Sequence, residues 1–338
     1  MKKIRMELGE RSYGITVGAG ALGLASEVMD LERRVFIVTD DGVPAEYSEK
    51  IKNASRDAMI YTVPKGEGSK SLRVLEGVLT AMMEFGMTRR DAVVAVGGGV
   101  VGDLSGFAAA SYMRGVDFYN VPTTLLSQVD SSIGGKCAVN LGEVKNAVGA
   151  FYQPKAVLID TDTLKTLDKR QIAAGLAEAL KMSMTSDKEL FSLFETGDIY
   201  SDIEKIIVSS LMIKKGVVER DERESELRKI LNFGHTFGHG IEAAEGLSGL
   251  LHGECVALGM LPMCESGVRA RLIPILKKIG LPTEYSGDID AALSFVTHDK
   301  KCEGGSVSAI LVNEIGSFEI KKMSIDEFSQ IIKDYSWR

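Results

Sequence analysis

Ala92-Val93-Val94-Ala95-Val96-Gly97-Gly98-Gly99-Val100-Val101-Gly102-Asp103 is the stretch on which the reading of this chain turns. An unbroken apolar run of this length reads as a strand buried on both faces. The glycines interrupt it, and Leu104 to Tyr112 then reads as a helix. Gly97, Gly99 and Gly102 have G-x-G-x-x-G spacing. Such a turn lets the backbone approach a pyrophosphate, and the following helix offers unpaired N–H groups to an anion. A plain tight turn that needs glycine only for its backbone has the same spacing. A standard dinucleotide fingerprint also sits on the first strand of its domain, whereas here Val35 to Val38 already reads as an earlier strand.

Working outward, Met6, Ile15 and Val17 alternate with polar neighbours, so residues 1–20 read as two short strands. Val35–Asp40, Asp57–Val63 and Ala156–Asp160 read as further strands. Leu22–Met29 and Leu72–Phe85 read as helices between them. Strands alternating with helices predict a parallel sheet covered on both faces. Asp40, ending its strand, suits either a ribose hydroxyl or a turn cap. From Asp168 to about Arg271 the apolar spacing is helical. The fold class expected is therefore an α/β, Rossmann-like nucleotide-binding domain at residues 1–155, followed by a mostly α-helical domain at 156–338.

Composition excludes several classes. The chain has 338 residues and a net charge of −7, which gives no general electrostatic support for nucleic-acid binding. No apolar run approaches the roughly 20 residues of a membrane span. The N-terminus Met1-Lys2-Lys3-Ile4-Arg5 leads to Glu7 and Glu10 rather than to an apolar segment, so a cytoplasmic protein is expected. The four cysteines have no C-x-x-C spacing, which favours reduced thiols.

Histidine is scarce, yet His235, His239 and His252 lie close together, with only His298 elsewhere. His235 and His239 are i,i+4 on one helix face, a spacing that suits two imidazoles on one metal. The glutamate of an H-E-x-x-H site is missing between them. His252-Gly253-Glu254 adds a third imidazole and a carboxylate at a loop-to-helix junction. Glu178 and Lys181 are i,i+3 among Ala and Leu, which makes either a poorly solvated carboxylate or a plain ion pair. Arg114, Lys136, Lys145, Lys181, Lys214 and Arg228 are cations that, if convergent, imply an anionic ligand.

Together these motifs are recognisable. Gly-Glu-x-x-Lys (66–70), Gly-Gly-Gly-Val-Val-Gly-Asp (97–103), Pro-Thr-Thr-Leu-Leu (122–126) and Val-Asp-Ser-Ser-x-Gly-Gly-Lys (129–136) open the series. Lys-Asn (145–146), Gly-Ala-Phe-Tyr-Gln-Pro (149–154), Ala-Glu-x-x-Lys (177–181), Asn-Phe-Gly-His-Thr-Phe-Gly-His (232–239) and His-Gly-Glu (252–254) continue it. In order and spacing the chain resembles the 3-dehydroquinate synthases, a shikimate-pathway family of sugar phosphate cyclases. The resemblance implies a tightly bound NAD and one divalent metal, zinc with cobalt able to replace it. It implies conversion of 3-deoxy-D-arabino-heptulosonate 7-phosphate to 3-dehydroquinate and phosphate, through transient oxidation, phosphate elimination, re-reduction and aldol closure. It also implies a homodimer.

Residue by residue, the resemblance assigns the metal to Glu178, His235 and His252, and moves His239 from the metal to the substrate. Substrate contacts fall on Arg114, Lys136, Asn146, Lys181, Lys214, Arg228 and Asn232, with Lys300 or Lys301 adding a phosphate contact. Asp130 and Glu224 match acidic groups that position those partners. NAD contacts fall on Asp40, Glu67, Lys70, Gly99, Val100, Val101, Gly102, Asp103, Thr123, Thr124, Lys136, Lys145, Thr163, Leu164, Lys165 and Thr166. The chain departs from the family pattern at Asp40-Asp41-Gly42, Cys137-Ala138 and Asn140-Leu141-Gly142, where the family has Asp-x-Asn, Thr-Gly and Asn-His-Pro. An inosose- or aminodehydroquinate-forming cyclase is the nearest alternative. A metal-dependent polyol dehydrogenase, which would release NADH, is the next.

Overall fold

The computed structural model describes residues 1–142, 144–246, 249–298 and 306–337. It comprises two compact units, Met1–Leu167 and Asp168–Arg338. The division falls beyond the expected 155/156. The strand Ala156–Asp160 pairs in parallel with its neighbours on both sides, so it belongs to the first sheet.

In the first unit, strands β1 (Lys2–Met6), β2 (Tyr13–Gly18), β3 (Arg34–Asp40), β4 (Asp57–Val63), β5 (Ala92–Gly97) and β6 (Asp117–Pro122) come in chain order. A hairpin, β7 (Lys136–Leu141) and β8 (Val144–Phe151), precedes β9 (Ala156–Asp160). Helices α1 (Ala25–Val28), α2 (Ala45–Asn53), α3 (Leu72–Glu84) and α4 (Gly99–Ser111) connect them. The sheet order is β1-β2-β9-β6-β5-β3-β4, parallel except for the antiparallel edge β1.

The period of two along each strand splits its side chains between two cores. Phe36, Val38, Val93, Ala95 and Phe118 pack with Val78 and Met82 of α3 and Leu104 and Ala108 of α4. Val35, Ile37, Val94, Val96 and Val121 pack with Ala25 of α1 and Tyr47 and Ile51 of α2. This is why the decisive stretch is apolar at every position. The chain leaves β3 for β4 on one side and returns as β5 on the other. That makes a switch point between β3 and β5, where ligands of open α/β sheets bind beyond the carboxyl ends. The pairing runs from Val35↔Ala92 to Val38↔Ala95, so Asp40 and Gly97 end side by side.

The second unit holds α5 (Lys169–Ser186), α6 (Lys188–Thr196), α7 (Ile203–Val218), α8 (His235–Glu245), α9 (His252–Met260), α10 (Ser266–Ile279), α11 (Ile289–His298) and α12 (Ile325–Asp334). A second hairpin, β10 (Ser306–Leu311) and β11 (Glu319–Ser324), interrupts the helical pattern. Alpha5 is central and buried from Ala173 to Thr185. Glycines let α9 close on its neighbours. A β-carbon at Gly253 would overlap the Ala174 carbonyl of α5, and one at Gly259 would overlap the Gly234 carbonyl just before α8. No helix among the described residues is long and apolar enough to cross a membrane.

Candidate functional site

The close approach of α5, α8 and α9 brings four side chains together. One ring nitrogen from each of His235, His239 and His252 lies within 4.8 Å of the other two. Glu178 Oε1 stands 3.7 Å from His235 Nε2 and 3.6 Å from His252 Nε2. His235 Nδ1 is 3.0 Å from the Phe233 carbonyl oxygen, an acceptor only, so Nδ1 carries the proton and Nε2 a lone pair. His252 Nδ1 faces Glu242 Oε2 at 3.3 Å, which places a proton on Nδ1.

The Nε2 atoms of both rings therefore face a carboxylate oxygen that is buried and makes no hydrogen bond within 3.5 Å. Burial pushes His235 well below its ordinary value, with Lys181 and the other two rings adding to the effect. Burial opposes charge on His252 too, but Glu178 and Glu242 outweigh it and raise the ring to about 9. Burial would lift Glu178, yet Lys181 and His252 hold it at about 2. This chemistry fits a divalent cation, because a positive charge between the donors resolves every clash.

Glu178 and Lys181 are each only 1% exposed and are directly paired on α5. Lys214 of α7 and Arg228 are 5% and 2% exposed, so three cations in this unit are buried rather than solvated. Asp221 organises the loop before α8: it accepts from the backbone N–H groups of Ser225, Glu226 and Arg228 at 2.8, 2.8 and 2.9 Å. Arg228 Nη1 donates to the Glu222 carbonyl at 2.6 Å. Glu224 has a left-handed backbone, φ 60°, and accepts from Asn232 Nδ2 at 3.0 Å. Lys300 and Lys301 lie outside the described residues. Glu254, a possible ligand by spacing, is committed elsewhere. Both its oxygens bond to Arg170, at 2.6 and 2.7 Å, and Oε2 also accepts from the Leu251 N–H.

In the first unit, α4 starts at Gly99, not Leu104, so the glycine stretch is itself the helix N-terminus, with no side chain capping it. A β-carbon at Gly99 would stand 3.1 Å from Ser131 Oγ, which is buried without a hydrogen-bond partner. A β-carbon at Gly102 would stand 3.2 Å from Asn120. Open N–H groups, an orphan hydroxyl and bare glycine backbone at a switch point fit a dinucleotide phosphate. Lys70 pairs with Asp103 at 2.5 Å, and Gly42 N–H donates to Asp40 Oδ1 at 2.8 Å. Thr123 N–H closes on the Gly97 carbonyl at 2.9 Å, and Thr124 accepts from Ser127 N–H. The Thr163 hydroxyl donates to the Asp160 carbonyl and accepts from Gln128 Nε2, while Thr166 meets the Tyr47 hydroxyl at 2.9 Å. Leu164 is buried and Lys165 pairs with Asp162. Lys136, Lys145 and Asn146 sit on the β7–β8 hairpin, exposed; Arg114 is exposed after α4, and Asp130 is half-buried. Arg114 and Asn146 are both left-handed, with φ of 69° and 53°.

The sequence reading missed Glu242, Asp221 and Ser131. Glu242 was findable: it is i+7 from His235 and i+3 from His239, on the same face of α8.

Family models described as 3-dehydroquinate synthase N-terminal and C-terminal match residues 60–174 and 175–302. The 3-dehydroquinate synthase of Caldanaerobacter subterraneus subsp. tengcongensis is 40% identical, covering 98% of this chain and 100% of its own. That of Streptococcus sanguinis is also 40% identical, over 98% and 99%. A solved 2-deoxy-scyllo-inosose synthase, complexed with carbaglucose-6-phosphate, NAD+ and Co2+, superposes with TM-score 0.90 at 25% identity over 99% of this chain and 100% of its own. The 2-epi-5-epi-valiolone synthase of Streptomyces hygroscopicus subsp. jinggangensis, with NAD+ and Zn2+ bound, gives 0.87 at 28% identity over 97% of each chain.

Proposed function

Because the chain belongs to the 3-dehydroquinate synthase family, we propose that it converts 3-deoxy-D-arabino-heptulosonate 7-phosphate into 3-dehydroquinate and phosphate. The observation that carries this reading is the convergence of Glu178 Oε1 with the Nε2 atoms of His235 and His252, beside the buried Lys181. Glu178, His235 and His252 would hold the divalent metal. Asp40, Glu67, Lys70, the Gly99–Asp103 turn, Thr123, Thr124, Lys145 and the Thr163–Thr166 segment would hold NAD. When bound, these groups supply Lewis acidity toward a substrate hydroxyl and a reversible acceptor for hydride.

The protein's own side chains do the rest. Lys181, Lys214 and Arg228 are desolvated cations, suited to a substrate that carries both a phosphate and a carboxylate. Arg114, Lys136, Asn146 and one of Lys300 or Lys301 supplement them. The Glu222 carbonyl holds the Arg228 guanidinium, and Glu224 fixes the Asn232 amide, so both donors are oriented before substrate arrives. Asp130 plays a similar positioning part. His239 lies beside the ligand rings, with centroids 5.3 and 5.7 Å away, and would hydrogen-bond the substrate. The family resemblance adds a homodimer.

The test is phosphate release from the heptulosonate phosphate by purified protein, before and after a chelator, with absorbance followed at the NADH wavelength. Release that the chelator stops, with no net NADH, is expected. No release with metal and NAD restored would point to another sugar phosphate substrate. Accumulating NADH would point to a dehydrogenase.

A further inference from the structure

One residue outside every set above ties three of them together. Asn140, near the end of β7, donates from Nδ2 to Glu67 Oε1 at 2.8 Å. Its Oδ1 accepts from the Asn146 N–H at 2.8 Å. Its own N–H donates to the Lys70 carbonyl at 2.8 Å, and Lys70 in turn pairs with Asp103 in the first turns of α4. The glycine-turn helix, the 66–70 loop and the β7–β8 hairpin therefore meet at one amide.

The two arms of that amide serve different groups. The Nδ2 arm holds the carboxylate of Glu67, on the nucleotide side of the functional reading. The Oδ1 arm holds the backbone of Asn146, on the substrate side, in the left-handed conformation that asparagine tolerates better than other non-glycine residues. An amide carries its donor and its acceptor on separate atoms, so it serves both partners at once.

We propose that Asn140 is a positioning residue that holds Glu67 for the nucleotide and Asn146 for the substrate at once, so that the two sites are set by one side chain. The proposal rests on the cyclase reading, and the wild-type control separates the two.

Asn140→Asp keeps the acceptor facing Asn146, removes the donor facing Glu67 and sets two carboxylates against each other. Asn140→Leu removes both arms at nearly constant volume. With metal-loaded full-length protein, NAD affinity is measured by titration, and KM and kcat for the heptulosonate phosphate are measured at saturating NAD. Asn140→Asp should weaken NAD by about tenfold, the usual scale for one charge-assisted hydrogen bond, while KM at saturating NAD stays within about threefold of wild type. Asn140→Leu should weaken NAD and raise KM together. Equal effects of Asp and Leu on both constants, or NAD affinity unchanged in Asn140→Asp, would overturn the assignment. Circular dichroism and melting temperature identify any variant that has simply failed to fold, and Asn140→Ser, which keeps a shorter donor and acceptor, then replaces it with the same expected ordering. Wild-type protein that bound no NAD would remove the functional reading itself, and this role with it.

Discussion

Lys181 and Glu178 form a buried pair on α5. Lys181→Ala should abolish phosphate release while leaving NAD affinity unchanged, since no nucleotide residue of the first unit is altered; persisting turnover would remove the lysine from the chemistry. Glu242 orients His252 from behind, so Glu242→Gln should lower zinc affinity by about 10–100-fold, read by competition with a chromogenic chelator. Asp221 gives a pH prediction. Burial would raise its carboxyl, but the N–H groups of Arg228, Ser225 and Glu226 outweigh that and hold it well below 3.8. A lowered carboxylate stabilises the fold above its unfolded value and loses that contribution as pH falls through its folded value. The stability gap between wild type and Asp221→Asn should thus be constant above pH ~5 and shrink below pH ~4 in urea titrations. An unchanging gap down to pH ~2 would mean the carboxylate charge is not what orders the loop.

The elements explain why part of this was readable in the chain and part was not. Val35–Asp40 and Asp57–Val63 were legible because apolar runs bounded by polar breaks leave no other solution; the strands observed are Arg34–Asp40 and Asp57–Val63. The start of α4 was misread because glycine is a poor helix former, and packing against β5 and β6 overrides that propensity. The β7–β8 hairpin was unread because its lysines, asparagines and glycines obscure the alternation, and its inner face packs on α3 and α4 through residues such as Val139. The β10–β11 hairpin was missed for a simpler reason: the helical period ends well before it. The grouping of His235, His239 and His252 was legible from histidine scarcity, but the loss of Glu254 to Arg170 was not, because that contact joins residues 84 apart. Contact between α5 and α9 depends on Gly253, so Gly253→Ala should cost about 1–3 kcal/mol by overpacking and weaken zinc binding in the same variant. Calorimetry showing an unchanged melting temperature would mean the helices separate without penalty.

At the level of the whole chain, two units with separate cores should respond separately to their ligands. Zinc at about 100 times its Kd should stabilise the second unit by about 2.7 kcal/mol, and NAD should act first on the other; a scan in which each ligand shifts both transitions equally would contradict this. The cysteines offer an independent view of the same behaviour. Cys137, Cys255 and Cys264 are buried and outside any disulfide, with burial raising the Cys137 thiol strongly and that of Cys264 to about 12. Cys137 sits against Gly106 of α4, where a β-carbon would overlap its sulfur. Such thiols react with an alkylating reagent only when their surroundings open. Once Cys302 is replaced, labelling at Cys137 becomes a clock for opening of the nucleotide-side unit, and labelling at Cys255 and Cys264 a clock for the other. The chain thus carries built-in probes in both units that report how often each half breathes without any added tag.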